Sequence, residues 1–154
     1  RNAMMLGLCT GYKNKWDAAT SKEALMDMAL DSNGVELLAD AHSFGFGMDI
    51  QDMKRTFSDY INGKWKRSKD GYTSCLYVDF NGKIEQDCTI TTVLSSKVEF
   101  HVPKGSVCKL YVGGESTVHI TGEGICYVYS YGHNEVTGRF KSMNCVTKSE
   151  WVKD

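Results

Sequence analysis

The strongest constraint in this chain is a period. Val78, Cys88, Val98, Cys108, Val118, Cys126 and Val136 open successive alternating apolar runs, at separations of 10, 10, 10, 10, 8 and 10 residues. Two residues further on stand Phe80, Ile90, Phe100, Leu110, Ile120, Val128 and Gly138. They continue the same face, because strand side chains alternate with period two. Between the runs lie Asn81-Gly82, Ser95-Ser96, Pro103 to Ser106, Gly113 to Ser116, Gly122 to Gly124 and Gly132 to Asn134, which are turn residues almost throughout. The pattern predicts seven short strands joined by tight turns.

Two architectures fit such spacing. One is an antiparallel meander closing into a barrel or sandwich; the other is a β-solenoid, in which every second strand stacks on its predecessor. Residue type favours the solenoid. Val78, Val98, Val118 and Val136 recur at double the strand spacing, and so do Cys88, Cys108 and Cys126, with Cys145 as a further step. Like falls on like when coils of two strands stack about 4.8 Å apart. The expected fold class is α+β, a short N-terminal helical cap followed by a small β-solenoid, with the meander as the alternative. An open solenoid end needs covering. The helices are expected to cap the first coil, and Lys148, Glu150, Trp151 and Lys153, or a second copy, the last.

The helical part precedes the repeats. Thr20 and Glu23 have the spacing of a capping box ahead of Ala24, Leu25, Met28 and Ala29, which predicts a first helix over 21–31. Asn33-Gly34 is expected to stop it in a left-handed turn. Val35, Leu37, Leu38, Ala41 and Phe44 then mark a second helix ending at Gly45, followed by a turn at Phe44 to Gly47. Asp49 caps a third, with Ile50, Met53, Phe57, Tyr60 and Ile61 as its apolar stripe and Asn62-Gly63 closing it. Helices this short are marginal alone and must pack on something. The domain reading is a tag remnant at 1–3, a helical lobe at 4–63, a basic linker at 64–70, a β-repeat lobe at 71–147 and a tail at 148–154.

Charge excludes one class of partner. Eighteen basic and nineteen acidic side chains give a net charge of −1, so no global field draws the chain to nucleic acid or an anionic membrane. The single basic run, Lys64 to Lys69 with Trp65 inside it, reads as a solvated linker whose tryptophan docks between lobes; phosphate contact with base stacking is the sharper alternative. Leu6-Gly7-Leu8-Cys9 is a weak echo of a lipoprotein cleavage site, and no window reaches the ~18 apolar residues of a membrane helix. The expected setting is the cytoplasm.

The six cysteines read as free, buried thiols, since Cys88, Cys108 and Cys126 sit in strand alternation with apolar neighbours. There is no CxxC and no paired Cys/His spacing, so no metal site and no cofactor is expected. Nor is there a GxSxG, HExxH, P-loop or strand-linked GxGxxG motif. No catalytic residues are assigned. His42 reads as an ordinary helix residue, and an acid/base site built from His101, His119 and Glu99 would need those groups to converge in a concave pocket.

The outward residues of the cysteine-bearing strands are more suggestive. Lys109, Tyr111 and Gly113 in one coil should stack beneath Tyr127, Tyr129 and Tyr131 in the next. A flat tyrosine face is rigid and amphipathic, and it suits a partner protein or a second copy of the chain, with carbohydrate as the alternative ligand. The plainer explanation is that the helices pack there. Lys109, Tyr111, Tyr127, Tyr129 and Tyr131 are the candidate binding residues of a non-enzymatic interaction module.

The layout also resembles a group of uncharacterised proteins from gut Bacteroides-type bacteria and their phages or mobile elements. The likeness rests on Ser21 to Leu25 (Ser-Lys-Glu-Ala-Leu), Leu76 to Asp79 (Leu-Tyr-Val-Asp) and the turn-strand step Gly114 to Val118, within residues 20–138. It implies a fold and a genomic neighbourhood. It implies no activity and carries over no site residues, and this chain departs from the most regular members in having uneven repeats.

Overall fold

The computed structural model describes residues 21–45 and 49–146. The expected tag remnant, Cys9, Thr20 and the tail 148–154 lie outside the described residues.

Among the described residues, three short helices precede the strands. Helix α1 (Lys22–Ala29) is capped by Ser21, whose Oγ accepts the Ala24 N–H at 3.1 Å, so Ser21 takes the role expected of Thr20. The predicted left-handed stop at Asn33-Gly34 is not what happens. Asp31 Oδ1 accepts from the N–H groups of Asn33 (2.9 Å) and Gly34 (2.6 Å), and Gly34 opens helix α2 (Gly34–Ser43). Glycine is needed there for closeness: a Cβ would lie 2.0 Å from the Met28 carbonyl oxygen. Asp49 caps helix α3 (Ile50–Thr56) by accepting the Asp52 N–H at 2.9 Å, as expected. That helix stops earlier than its apolar stripe suggests, because the chain beyond it is drawn to the sheet. Asn62, at φ +58°, accepts from Val78 N–H (2.8 Å) and donates to Val78 O (3.2 Å), and its own N–H reaches Leu76 O.

The repeats form a parallel β-solenoid. Strands β1 (Arg67–Lys69), β2 (Tyr72–Val78), β4 (Ile90–Leu94), β6 (Val107–Gly113), β8 (Ile125–Tyr131) and β10 (Ser142–Val146) make one sheet in the order β1-β2-β4-β6-β8-β10. Strands β3 (Asn81–Glu85), β5 (Lys97–His101), β7 (Thr117–Thr121) and β9 (Glu135–Gly138) make the other. Every pairing is parallel except β1 with β2. Strand n therefore lies against strand n+2, and the meander is set aside. The interior is apolar and closed, with Val93, Phe100, Leu110, Val112, Val118, Ile120 and Val128 at 0–1% exposure.

Later ladders fall as expected and earlier ones do not. Val98, Val118 and Val136 stack in register, as do Phe100 with Ile120, Cys108 with Cys126 and Leu110 with Val128. Val78 is not below Val98: it belongs to β2 and pairs with Leu94, while Gly82 occupies the position under Val98. The cause is coil length. Corner bonds from Phe80 to Ser96, Ser96 to Ser116 and Ser116 to Asn134 step by 16, 20 and 18 residues, so a uniform period of 20 misplaces the first coil. Likewise Ile90 pairs with Lys109 and not Leu110, which turns Ile90 outward, since a one-residue slip exchanges faces. Cys145 pairs with Ser130 and is exposed, outside the thiol ladder. The other described cysteines, Cys75, Cys88, Cys108 and Cys126, are buried and unbridged.

A polar ladder holds the corner between the sheets. Ser96 Oγ, Ser116 Oγ and Asn134 Oδ1 accept from the backbone N–H of Phe80, Ser96 and Ser116 at 3.0, 3.0 and 2.8 Å. Each of these three stands two residues before the valine of its coil, so the repeat contains its own corner brace.

The helices form a third layer on the outer side of the larger sheet; they do not plug the first coil. Met26, Leu30, Val35 and Ala39 pack with Leu76, Val78, Ile90, Leu94, Tyr111 and Tyr131 in a second apolar cluster. The C-terminal end of α2 is fastened to the turns: His42 Nε2 lies 3.1 Å from Ser95 Oγ, and Ser43 Oγ accepts from Gly114 N–H at 3.2 Å. The turn is glycine because a Cβ at Gly113 would meet Ser43 Oγ at 2.5 Å, and one at Gly114 (φ +67°) would meet the His42 ring at 2.5 Å. The edge of the larger sheet beside the first coil is covered by β1.

β1 also shows what the basic run does. Arg67 is buried, with Nε 3.2 Å from Asp27 Oδ1, a second ion pair to Asp70 at 3.0 Å, and its guanidinium 5.2 Å above the Tyr72 ring. Lys69 pairs with Asp27 at 2.9 Å and Lys66 with Asp87 at 3.3 Å. Trp65 packs edge-on to Tyr60 at 5.4 Å against the outer cluster. Residues expected to form a solvated linker thus dock the helical layer onto the first strands.

Candidate interaction site on the larger sheet

The outward tyrosines stack in the predicted register, but the structure divides them between two environments. Tyr111 lies over Tyr129 with ring centroids 4.9 Å apart and planes inclined by 14°, and Tyr131 is 6.4 Å from Tyr111. Tyr111 is only 3% exposed and Tyr131 9%, because α2 covers them. The phenols of both are held above their usual range, mainly by burial and then by the negative charge of Glu36. As an open binding platform these two residues are corrected to core. The physical reason is the apolar face of α2, which needs the same surface.

The N-terminal halves of β6 and β8 remain outside that cover. Lys109 is exposed and pairs in register with Tyr127, which is half-buried, as is Tyr129. Beside them Val107 pairs with Ile125, and these are 54% and 42% exposed. Val107, Lys109, Ile125 and Tyr127 thus form a two-by-two cluster on adjacent strands, roughly 4.8 Å apart across the ladder. The cluster joins an apolar pair to a phenol and a cation. Sequence reading missed Val107 and Ile125, although alternation finds them: each stands two residues before a residue already placed outward.

The outer side of the smaller sheet is polar. Glu99 and His119 are opposite one another in register, but each has its own partner in the ladder. Lys83 Nζ is 3.5 Å from Glu99, and His119 Nδ1 is 2.8 Å from Thr137 Oγ1. His101 sits opposite Thr121, with Nδ1 3.2 Å from its Oγ1 and Nε2 3.6 Å from Glu85. A cleft of about 220 Å3 lies elsewhere, at the end of α2, lined by Phe44, Glu115, Tyr131 and His133 among others.

One group of possible metal ligands does come together without any paired spacing in sequence. Cys75, Asp87 and Cys88 place their donor atoms within 4.8 Å of one another. Among the described residues no helix is long and apolar enough to cross a membrane. Comparison with protein-family profiles, with curated proteins and with solved structures produced no match.

Proposed function

We propose that this chain is a non-catalytic interaction module that binds a partner protein through the uncovered half of the larger sheet, at Val107, Lys109, Ile125 and Tyr127. The observation carrying this reading is the pair of strongly exposed β-branched residues, Val107 and Ile125, side by side on the part of the larger sheet's outer face that the helices leave uncovered. The neighbouring half of that face already accepts an amphipathic helix, α2, so the surface has the spacing and chemistry to accept another. The Lys109 ammonium favours a partner that flanks its apolar residues with carboxylates. Carbohydrate binding is disfavoured by the loss of Tyr111 and Tyr131 to the core, which removes the broad aromatic platform. Four buried, unbridged thiols suit a reducing cytoplasmic setting, and the likeness stated above suggests a phage or mobile-element context.

Val107→Asp with Ile125→Asp tests the reading, since both side chains face solvent and their replacement should leave the fold intact. Affinity capture with the parent chain should retain a protein that the double variant loses by tenfold or more, about 1.4 kcal/mol, at unchanged circular dichroism and thermal midpoint. Equal capture by both chains would remove the site. A drop in sedimenting mass caused by the same pair of substitutions would identify the partner as a second copy.

A further inference from the structure

The geometry points to a second site, independent of the interaction surface: a thiophilic divalent-cation site, of the zinc type, formed by Cys75, Cys88 and Asp87. Cys75 lies on β2 and faces inward, while Asp87 and Cys88 lie in the turn that brings the chain from β3 back to β4. The two thiols are buried and the carboxylate is exposed. All three donor atoms fall within 4.8 Å of each other. A tetrahedral zinc ion with ~2.3 Å bonds to sulfur and ~2.0–2.2 Å to oxygen holds its donors roughly 3.4–3.8 Å apart. Small side-chain rotations therefore close the triangle around one ion. Asp87 marks the entry path, and the position beside it is left for water or an exogenous anion.

Donor chemistry sets the class of metal. Two thiolates and one carboxylate select a borderline-soft ion and disfavour Mg2+ or Ca2+, which require an oxygen shell. An M2+ ion with three anionic ligands carries one net negative charge, and Lys66, 3.3 Å from Asp87 Oδ2, supplies a compensating cation. Cys75 Sγ is 3.7 Å from the Thr91 hydroxyl, and the Gln86 amide donates to Cys88 O at 2.7 Å, so the surroundings orient the donors. The inward Cys108–Cys126 pair belongs to no such three-donor group among the described residues. Binding would displace one proton from each thiol and pin β2 to the β3–β4 turn, stapling the first coil of the solenoid.

The test uses the full chain kept reduced by a phosphine. Co2+ serves as the spectroscopic probe and Zn2+ as the competitor. One equivalent of Co2+ should give a thiolate-to-cobalt charge-transfer band that Zn2+ abolishes, and Zn2+ should raise the thermal midpoint. Cys88→Ser should lose the band, and Cys108→Ser with Cys126→Ser should keep it. Asp87→Asn, an exposed substitution that leaves the fold intact, should weaken binding at least roughly tenfold. Binding should tighten as pH rises, because the thiols must deprotonate. The site is overturned by absence of stoichiometric uptake, by a band that survives Cys75→Ser with Cys88→Ser, or by an Asp87→Asn affinity equal to the parent's.

Discussion

Across the solenoid, the two sheets present the same kind of residue inward and opposite kinds outward. Behind Val98 and Phe100 the smaller sheet shows Lys97, Glu99 and His101 to solvent, laddered with Thr117, His119 and Thr121. Behind Val93 and Leu110 the larger sheet shows Leu94 and Tyr111, buried under α2. Inward alternation alone closes a coil. The outward residues determine on which side a further layer is built, and where that layer ends they leave Val107 and Ile125 uncovered. The same fold thus carries a solvated wall and a docking wall, and the difference lies wholly in every second residue.

The largest expected effect concerns what the two walls share. Phe100→Ala removes a side chain with 0% exposure from the common interior and should cost about 3–5 kcal/mol in urea denaturation. A loss below about 1 kcal/mol would mean that the smaller sheet does not depend on the interior at all. A smaller effect separates the roofed wall from the open one. Gly114 and Gly105 both have positive φ, +67° and +90°, so alanine at either costs about 1–2 kcal/mol. At Gly105 the new Cβ meets nothing within 4 Å, whereas at Gly114 it enters the His42 ring, which should add roughly 1–3 kcal/mol by displacing α2. Equal destabilisation by the two substitutions would break the assigned contact between α2 and the turns.

The smallest effect is a pH dependence. Burial, helped by Glu36, raises the phenols of Tyr111 and Tyr131, and burial pushes Tyr77 up to about 12. In the unfolded chain these groups ionise near 10. Between those limits the folded state holds protons that the unfolded state has released, so stability is complete below about pH 10 and falls as pH rises above it. Tyr111→Phe should therefore shift alkaline unfolding to higher pH. An unchanged midpoint would argue that the roof over Tyr111 is not in place.

Much of this was legible in one dimension. The valine ladder, the Cys108–Cys126 pair and the Tyr111–Tyr129 stack follow from a two-residue strand period and coils that stack directly on one another. Pattern and structure part company where coil length varies. Val78 departs from the ladder because the first coil steps by only 16 residues, and Ile90 because β4 and β6 pair at a step of 19 and not 20, and a small change in length moves a side chain to another strand or another face. The polar brace Ser96–Ser116–Asn134 was visible as turn residues, yet its function as a ladder depended on the register.

Alternation and repeat therefore specified the solenoid, since local strand geometry fixes which residues point inward and stacking puts like on like. The placement of the helices did not follow from pattern. It depends on complementarity between segments far apart in sequence, such as Ser43 against Gly113 and Gly114, or Arg67 against Asp27. That choice converted two predicted binding tyrosines into core and left Val107 and Ile125 exposed. Tertiary structure alone likewise brought Cys75 to Asp87 and Cys88, because only the turn between two coils, and no sequence spacing, makes them neighbours.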